Sequence, residues 1–151
     1  MKIIPLGGSG FEAEVCGWLH RAWWEEDGWS LAETIEYCAG ARGPGIPMVW
    51  VAVAGGMPLG TVALDEDDLF DRADLNPWLA SLYVRPDARR EGIGAELVRT
   101  VERHAAATGF ARIWLFTPDA AEFYARLGWR PIGMDAWHQQ EVTLMQRDLQ
   151  P

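Results

Sequence analysis

Cysteine is scarce in this chain: Cys16 and Cys38 are the only two among 151 residues, with no CxxC pair and no metal-ligand spacing. Neither a disulfide framework nor a metal site is expected, and structural burial is the reading for both thiols. No apolar run approaches the ~20 residues of a membrane-spanning helix. Met1-Lys2-Ile3-Ile4 does not open as a signal peptide. Internal repeats and low-complexity tracts are also missing. These absences predict a cytoplasmic protein with reduced thiols and no membrane partner, folded as a single domain over residues 1–151. That length suffices for a sizeable core.

Positive charge is scarce in the first half. Residues 1–76 hold four Lys/Arg against 13 Asp/Glu, while residues 77–151 hold nine of each, so the net charge of −9 lies entirely in the first half. Such a field repels nucleic acid and attracts cationic ligands. It would also serve solubility alone, and the sequence leaves both readings open.

The most informative stretch runs from Trp78 to Gly109. Trp78–Val84 is a nearly unbroken apolar run of strand length, as for a strand covered on both faces. Pro86 ends it. Apolar residues then recur at Ile93, Leu97, Val101 and Ala105 with helical spacing, and Gly109 stands where a C-terminal cap belongs. Between strand and helix lies Arg89-Arg90-Glu91-Gly92-Ile93-Gly94. The first N–H groups of a helix lack intrahelical partners and carry partial positive charge. Gly92 and Gly94 let a ligand approach that backbone, and Arg85, Arg89 and Arg90 add charge beside it. The ligand implied is a pyrophosphate or an equally anionic group. A dinucleotide fingerprint is not met, because no third glycine follows Gly94 at the required spacing.

Around this unit the chain predicts a short strand at Lys2–Leu6, a helix from the capping box Ser9-Gly10-Phe11-Glu12 to about Trp24, and a break at Gly28. A second box, Ser30-x-x-Glu33, starts a helix ending near Gly40. After an Arg42–Pro47 loop, Met48–Ala54 and Leu59–Leu64 form a hairpin, closed by Asp65-Glu66-Asp67-Asp68. A loop through Asp71 to Pro77 leads to the central strand. A strand at Ala111–Phe116 follows the long helix. A short helix capped by Thr117 with Pro118 at its first position runs to Gly128. Strands near Arg130–Gly133 and Glu141–Leu149 close the chain.

Arg89-x-x-Gly92-x-Gly94 after a strand resembles the acyl-CoA motif of the GNAT N-acetyltransferase superfamily. Phe123-Tyr124-Ala125-Arg126-Leu127-Gly128-Trp129 resembles its second signature, a Tyr followed by Leu-Gly-Phe/Trp. The resemblance implies an α/β (α+β) fold: a mixed, twisted central sheet of six to seven strands with helices on both faces. It also implies acetyl-CoA as co-substrate, held by the backbone of Leu82, Tyr83 and Val84, by the turn Arg89, Arg90, Glu91, Gly92, Ile93, Gly94 and Ala95, and at Thr117. Neighbouring strands would have to splay to admit it.

Moving an acetyl group to an amine requires a neutral amine, a donor for the oxyanion and a proton for the leaving thiolate. A phenol stays protonated at neutral pH, and Tyr124 matches the superfamily tyrosine that protonates the sulfur. Many members place a base on the strand corresponding to Ala111–Phe116, but Trp114-Leu115-Phe116-Thr117 holds no carboxylate. Asp67 and Asp68 are the candidates to bind an ammonium or drain its proton; a solvated strand end is the plainer reading of each. His138 sits alone in an expected loop. Trp23, Trp24, Trp29 and Trp137 lie where acceptor sites are walled in the superfamily, and Trp50, Trp78 and Trp114 read as core. The acceptor implied is a primary amine of a small cationic molecule or peptide, with the protein a monomer or homodimer. A non-catalytic acyl-CoA-binding or interaction module on the same fold is the alternative.

Overall fold

The computed structural model describes residues 1–41, 45–68 and 72–149. Residues 42–44 of the expected Arg42–Pro47 loop and Asp71 of the following one lie outside them. Seven strands form one sheet in the order β1-β2-β3-β4-β5-β7-β6. They are β1 Lys2–Pro5, β2 Met48–Ala54, β3 Met57–Asp65, β4 Trp78–Val84, β5 Arg112–Thr117, β6 Arg130–Trp137 and β7 Gln140–Asp148. The helices are α1 Glu12–Leu19, α2 Leu31–Gly40, α3 Ile93–Thr108 and α4 Ala121–Arg126. Only β4 and β5 run parallel, joined through α3; the other pairs are antiparallel.

Side-chain alternation sorts the core onto two faces. Met48, Trp50 and Ala52 of β2 pack under α3 with Leu97, Val98 and Val101. Val49 and Val51 point the other way, into a cluster with Val15, Leu19 and Cys38 from α1 and α2. Cys16 and Cys38 are both fully buried in that second cluster.

The predicted elements are recovered with a few corrections. The Ser30–Glu33 box caps α2 reciprocally, each side chain accepting from the other's backbone N–H at 3.0 Å. Gly109 takes the left-handed conformation (φ 105°) just past α3. The Ser9–Glu12 box does not cap α1: Ser9 Oγ accepts from Phe11 N–H, and Glu12 turns back to Gly10 N–H. Thr117 does not cap α4 either. Its hydroxyl accepts from Ala120 N–H at 3.0 Å, holding a separate turn, and the helix starts at Ala121. β6 runs further than expected, to Trp137, β7 is shifted by one residue, and the two meet in a two-residue turn, His138-Gln139. Both of its residues have positive φ, as a tight hairpin requires.

β4 breaks its own alternation. Ser81 has φ 56°, and the register against β3 slips between Thr61↔Tyr83 and Ala63↔Ala80. Two β4 residues therefore oppose Val62, which is a bulge. Its effect is a change of parity: Leu79 before the bulge and Leu82 and Val84 after it all join the α3-side cluster, while Tyr83 joins the opposite one. Burial on both faces holds for Trp78–Ala80 but not beyond; Ser81–Val84 are half-buried.

Gly60 lies against this stretch. A Cβ there would come within 3.0 Å of the Tyr83 carbonyl oxygen and 3.1 Å of Leu97 Cδ1. Backbone cannot yield cheaply, so Gly60→Ala should cost about 1–3 kcal/mol. Urea unfolding would show this as a lower midpoint at unchanged slope, and an unaltered midpoint would refute the tight fit.

Candidate active site

β4 and β5 share a single register pair, Trp78↔Trp114, with Trp114 N–H donating to the Pro77 carbonyl at 3.1 Å just before it. Among the described residues no further rung joins them. Beyond Trp78 the two strands part, and the gap opens into a cavity of about 550 Å³. Leu79–Leu82 line one side, and Leu115–Thr117 the other. Ser81, the strained residue of the bulge, is among them. Backbone strain of this kind costs of order 1–3 kcal/mol and concentrates at functional sites.

Tyr124 on α4 is 7 % exposed and lines the cavity, and its hydroxyl has no hydrogen bond to any described residue. Its pKa is pushed upward by burial first and then by the charges of Asp68 and Asp119. The phenol therefore remains a proton donor throughout the neutral range.

Opposite stands an aromatic wall. The last turn of the first helix, His20–Trp24, widens to i→i+5 hydrogen bonding, with Glu25 N–H on the His20 carbonyl at 2.9 Å. It brings Trp23 edge-on to Tyr83 (6.2 Å) and Trp24 against Tyr37 (5.3 Å) and Trp29 (4.9 Å). The Tyr37 hydroxyl donates to Asp65, tying this wall to the floor. Asp27, Asp65, Asp67, Asp68 and Asp119 all line the cavity; no described Lys, Arg or His does. Asp68 is half-buried, and its pKa is pushed up to about 8, by burial first and then by the charges of Asp65 and Asp27. Asp65 is raised too, mainly by burial, against the stabilising bonds from Tyr37 and the Glu66 N–H. Among the described residues no three side chains are placed to hold a metal ion.

The cavity thus brings together Tyr124, Leu82, Thr117, Asp67 and Asp68. Tyr83, Val84 and the Arg89–Ala95 turn lie outside its lining. That turn is wound by two left-handed residues, Arg90 (φ 69°) and Gly92 (φ 83°). Gly92 caps α3 and offers no side chain to the first helical amides. A Cβ at Gly94 would meet Phe123 at 3.3 Å, so the ring would have to give by a few tenths of an ångström. Two of the three arginines are spoken for. Arg85 pairs with Asp87 at 2.8 Å; Arg89 Nε donates to the Val84 carbonyl at 2.9 Å and its guanidinium lies over the Tyr83 ring. Arg90 has no partner among the described residues.

A family model described as Acetyltransferase (GNAT) family matches residues 13–129. This chain belongs to the GNAT acetyltransferase family. No curated protein matches its sequence. Among solved structures, an aminoglycoside 6′-N-acetyltransferase complexed with coenzyme A superposes with a TM-score of 0.79 at 18 % identity, covering 100 % of this chain and 98 % of that one. The aminoglycoside 6′-N-acetyltransferase from Enterococcus faecium gives 0.76 at 20 % identity, with 100 % and 98 % coverage. A ribosomal-protein-alanine N-acetyltransferase from Brucella melitensis gives 0.77 at 16 %, with 98 % and 99 %. At these identities the likeness is one of fold, and the acceptors named for these proteins differ.

Sequence reasoning missed several cavity residues of this acetyltransferase. No motif in the sequence marks Asp27 or Asp119. His138 is not alone: its Nε2 pairs with Asp27 Oδ1 across 111 residues. No local signal announces that contact.

Asp68 can be tested by stability. Its folded pKa near 8 lies above the value of about 4 that it takes when unfolded. The group costs nothing below about pH 4 and becomes destabilising as pH climbs from about 4 through about 8. Asp68→Asn should therefore melt with the parent at about pH 4 and above it at about pH 9. Equal melting temperatures at both would place the carboxyl in open solvent.

Proposed function

We propose that this protein is an N-acetyltransferase that moves an acetyl group from acetyl-CoA directly to a primary amine of a small cationic molecule or peptide. The observation that carries the reading is the cavity itself: among the described residues, five aspartates and no lining cation surround a buried phenol that has no hydrogen-bond partner. Such a cavity draws a cationic acceptor, and aromatic rings beside the carboxylates add cation–π attraction. A binding module would have no use for a donor hydroxyl kept free in that place.

The residues suit acetyl-CoA. The parted edges of β4 and β5 offer backbone groups to an extended chain, with Leu82 and Thr117 on either side. The glycine-capped start of α3, with Arg90, Glu91, Ile93 and Ala95 supplying backbone N–H groups, suits its pyrophosphate. Acetyl-CoA supplies the acetyl group as a thioester. Asp67 and Asp68 hold the incoming ammonium, whose charge favours the ionised form of Asp68, and Asp68 then takes the proton that frees the nitrogen lone pair. The Tyr124 hydroxyl gives its proton to the sulfur as the carbon–sulfur bond breaks and the carbon–nitrogen bond forms. Amide formation takes a second proton from the nitrogen, which restores the Tyr124 phenol, and Asp68 gives its proton to solvent, so ammonium and thioester become amide, thiol and one released proton.

Turnover with a panel of amines tests this. Polyamines, aminoglycosides and basic peptides should be acetylated, with kcat/KM falling as salt screens the acidic field over a Debye length of about 8 Å at physiological ionic strength. Neutral or anionic acceptors used equally well, without salt dependence, would overturn the acceptor assignment. Tyr124→Phe should lower kcat by about 10- to 10⁴-fold while coenzyme A still binds. A kcat within a factor of about two of the parent would return Tyr124 to the core.

A further inference from the structure

Glu102 is an oddity of α3. It is a carboxylate on the helix face turned into the core, 8 % exposed, among Leu97, Val98, Val101 and Ala105. Burying a charge is expensive, and an apolar side chain of similar size would pack there at least as favourably. Its two oxygens are fully engaged. Oε2 accepts from the indole Nε1–H of Trp129 at 2.9 Å. Oε1 accepts from Arg99 at 3.0 Å, and Arg147 Nε approaches to 3.9 Å.

All of these contacts converge on the end of α4. Arg99 also donates to the carbonyl of Leu127, the residue that closes α4, at 3.1 Å. Trp129 N–H donates to the Tyr124 carbonyl at 3.0 Å, and its ring lies 6.1 Å from the Tyr124 ring, steeply tilted. Gly128 between them is left-handed (φ 98°), and the Arg147 guanidinium fills the space where a Cβ would stand. A helix of six residues has little stability of its own. Beside the apolar packing of Phe123, Tyr124, Leu127 and Trp129, this set of bonds ties α4 to α3, and the Arg99 and Trp129 side chains that take part in it meet at one carboxylate.

We propose that Glu102 is a positioning residue: acting through Trp129 and Arg99, it sets the place of the Tyr124 hydroxyl in the cavity. The proposal rests on Tyr124 being the proton donor. Misplacement of a reacting group by about 1 Å can cost about 10²-fold, and Glu102→Ala should lower kcat by about 10- to 100-fold, with the KM for acetyl-CoA unchanged within about twofold. Glu102→Gln keeps an acceptor for the indole and should recover most of that loss. Trp129→Phe keeps the ring but removes the donor; it tests the same link if Glu102→Ala does not fold.

The deciding measurement is a double-mutant cycle at a temperature where every variant is folded by circular dichroism. A residue acting through Tyr124 loses its effect once the hydroxyl is gone. Glu102→Ala should therefore change kcat by less than about threefold in a Tyr124→Phe background, and so should Trp129→Phe. An equal loss in both backgrounds overturns the positioning role and leaves the donor reading of Tyr124 standing. A Tyr124→Phe protein of undiminished kcat overturns both.

Discussion

The single rung between β4 and β5 is the constraint on which the rest of the molecule depends. Parallel strands joined through a helix are ordinarily zipped along their length and buried on both faces. Here Trp78, wholly buried against Leu144, fastens the pair at one point, and the strands separate toward their C-terminal ends. The connection through α3 brings the amino end of that helix to the end of the sheet where β4 finishes. The gap and the glycine-capped helix start are therefore at the same end without any further device, as in other sheets where ligands gather at the carboxyl ends of strands. The bulge at Ser81 completes the arrangement by keeping Leu82 and Val84 on the α3 side while Tyr83 serves the opposite layer.

Charge is distributed to the same end. Asp27, Asp65, Asp67, Asp68 and Asp119 come from three separate stretches of chain yet share one cavity. Their mutual repulsion is tolerated in part by bonding, Tyr37 and the Glu66 N–H on Asp65 and His138 on Asp27, and in part by proton retention at Asp68. Concentrating like charges in one cleft is unfavourable for folding. It becomes useful when a cation is to be drawn in and relieved of a proton there.

What the sequence discloses and what it conceals divide along physical lines. Local signals read well. The apolar run of β4, the period of α3, the left-handed glycine at 109 and the reciprocal Ser30–Glu33 box are each decided within a few residues. Tyr124, Asp67 and Asp68 could be singled out because a motif or a charge run marks them. The bulge at Ser81 could not, since a serine with positive φ is chosen by its tertiary surroundings and carries no compositional mark. Nor could the His138–Asp27 pair or the Glu102–Trp129 bond, whose members are 111 and 27 residues apart. The Ser9 and Thr117 cases show a nearer failure. Ser9 bonds the Phe11 amide rather than that of Glu12, while Thr117 bonds the amide three residues on, that of Ala120, as a cap would; in both cases the helix begins further on.

A sheet left open in its middle is an unfinished structure, and this has a thermodynamic side. The polar edges bared beyond Trp78 exist as an ordered pair only in the folded chain, so a molecule that settles between them binds that state and not the unfolded one. By mass action it adds RT ln(1 + [L]/Kd) to the folding free energy, about 2.7 kcal/mol at a hundredfold excess over Kd. That is a large share of the 5–15 kcal/mol that typically separates a domain from its unfolded chain. The persistence of this protein in a cell is thereby tied to the supply of what it binds: scarcity of the ligand would silence it and, by the same equilibrium, expose it to proteolysis.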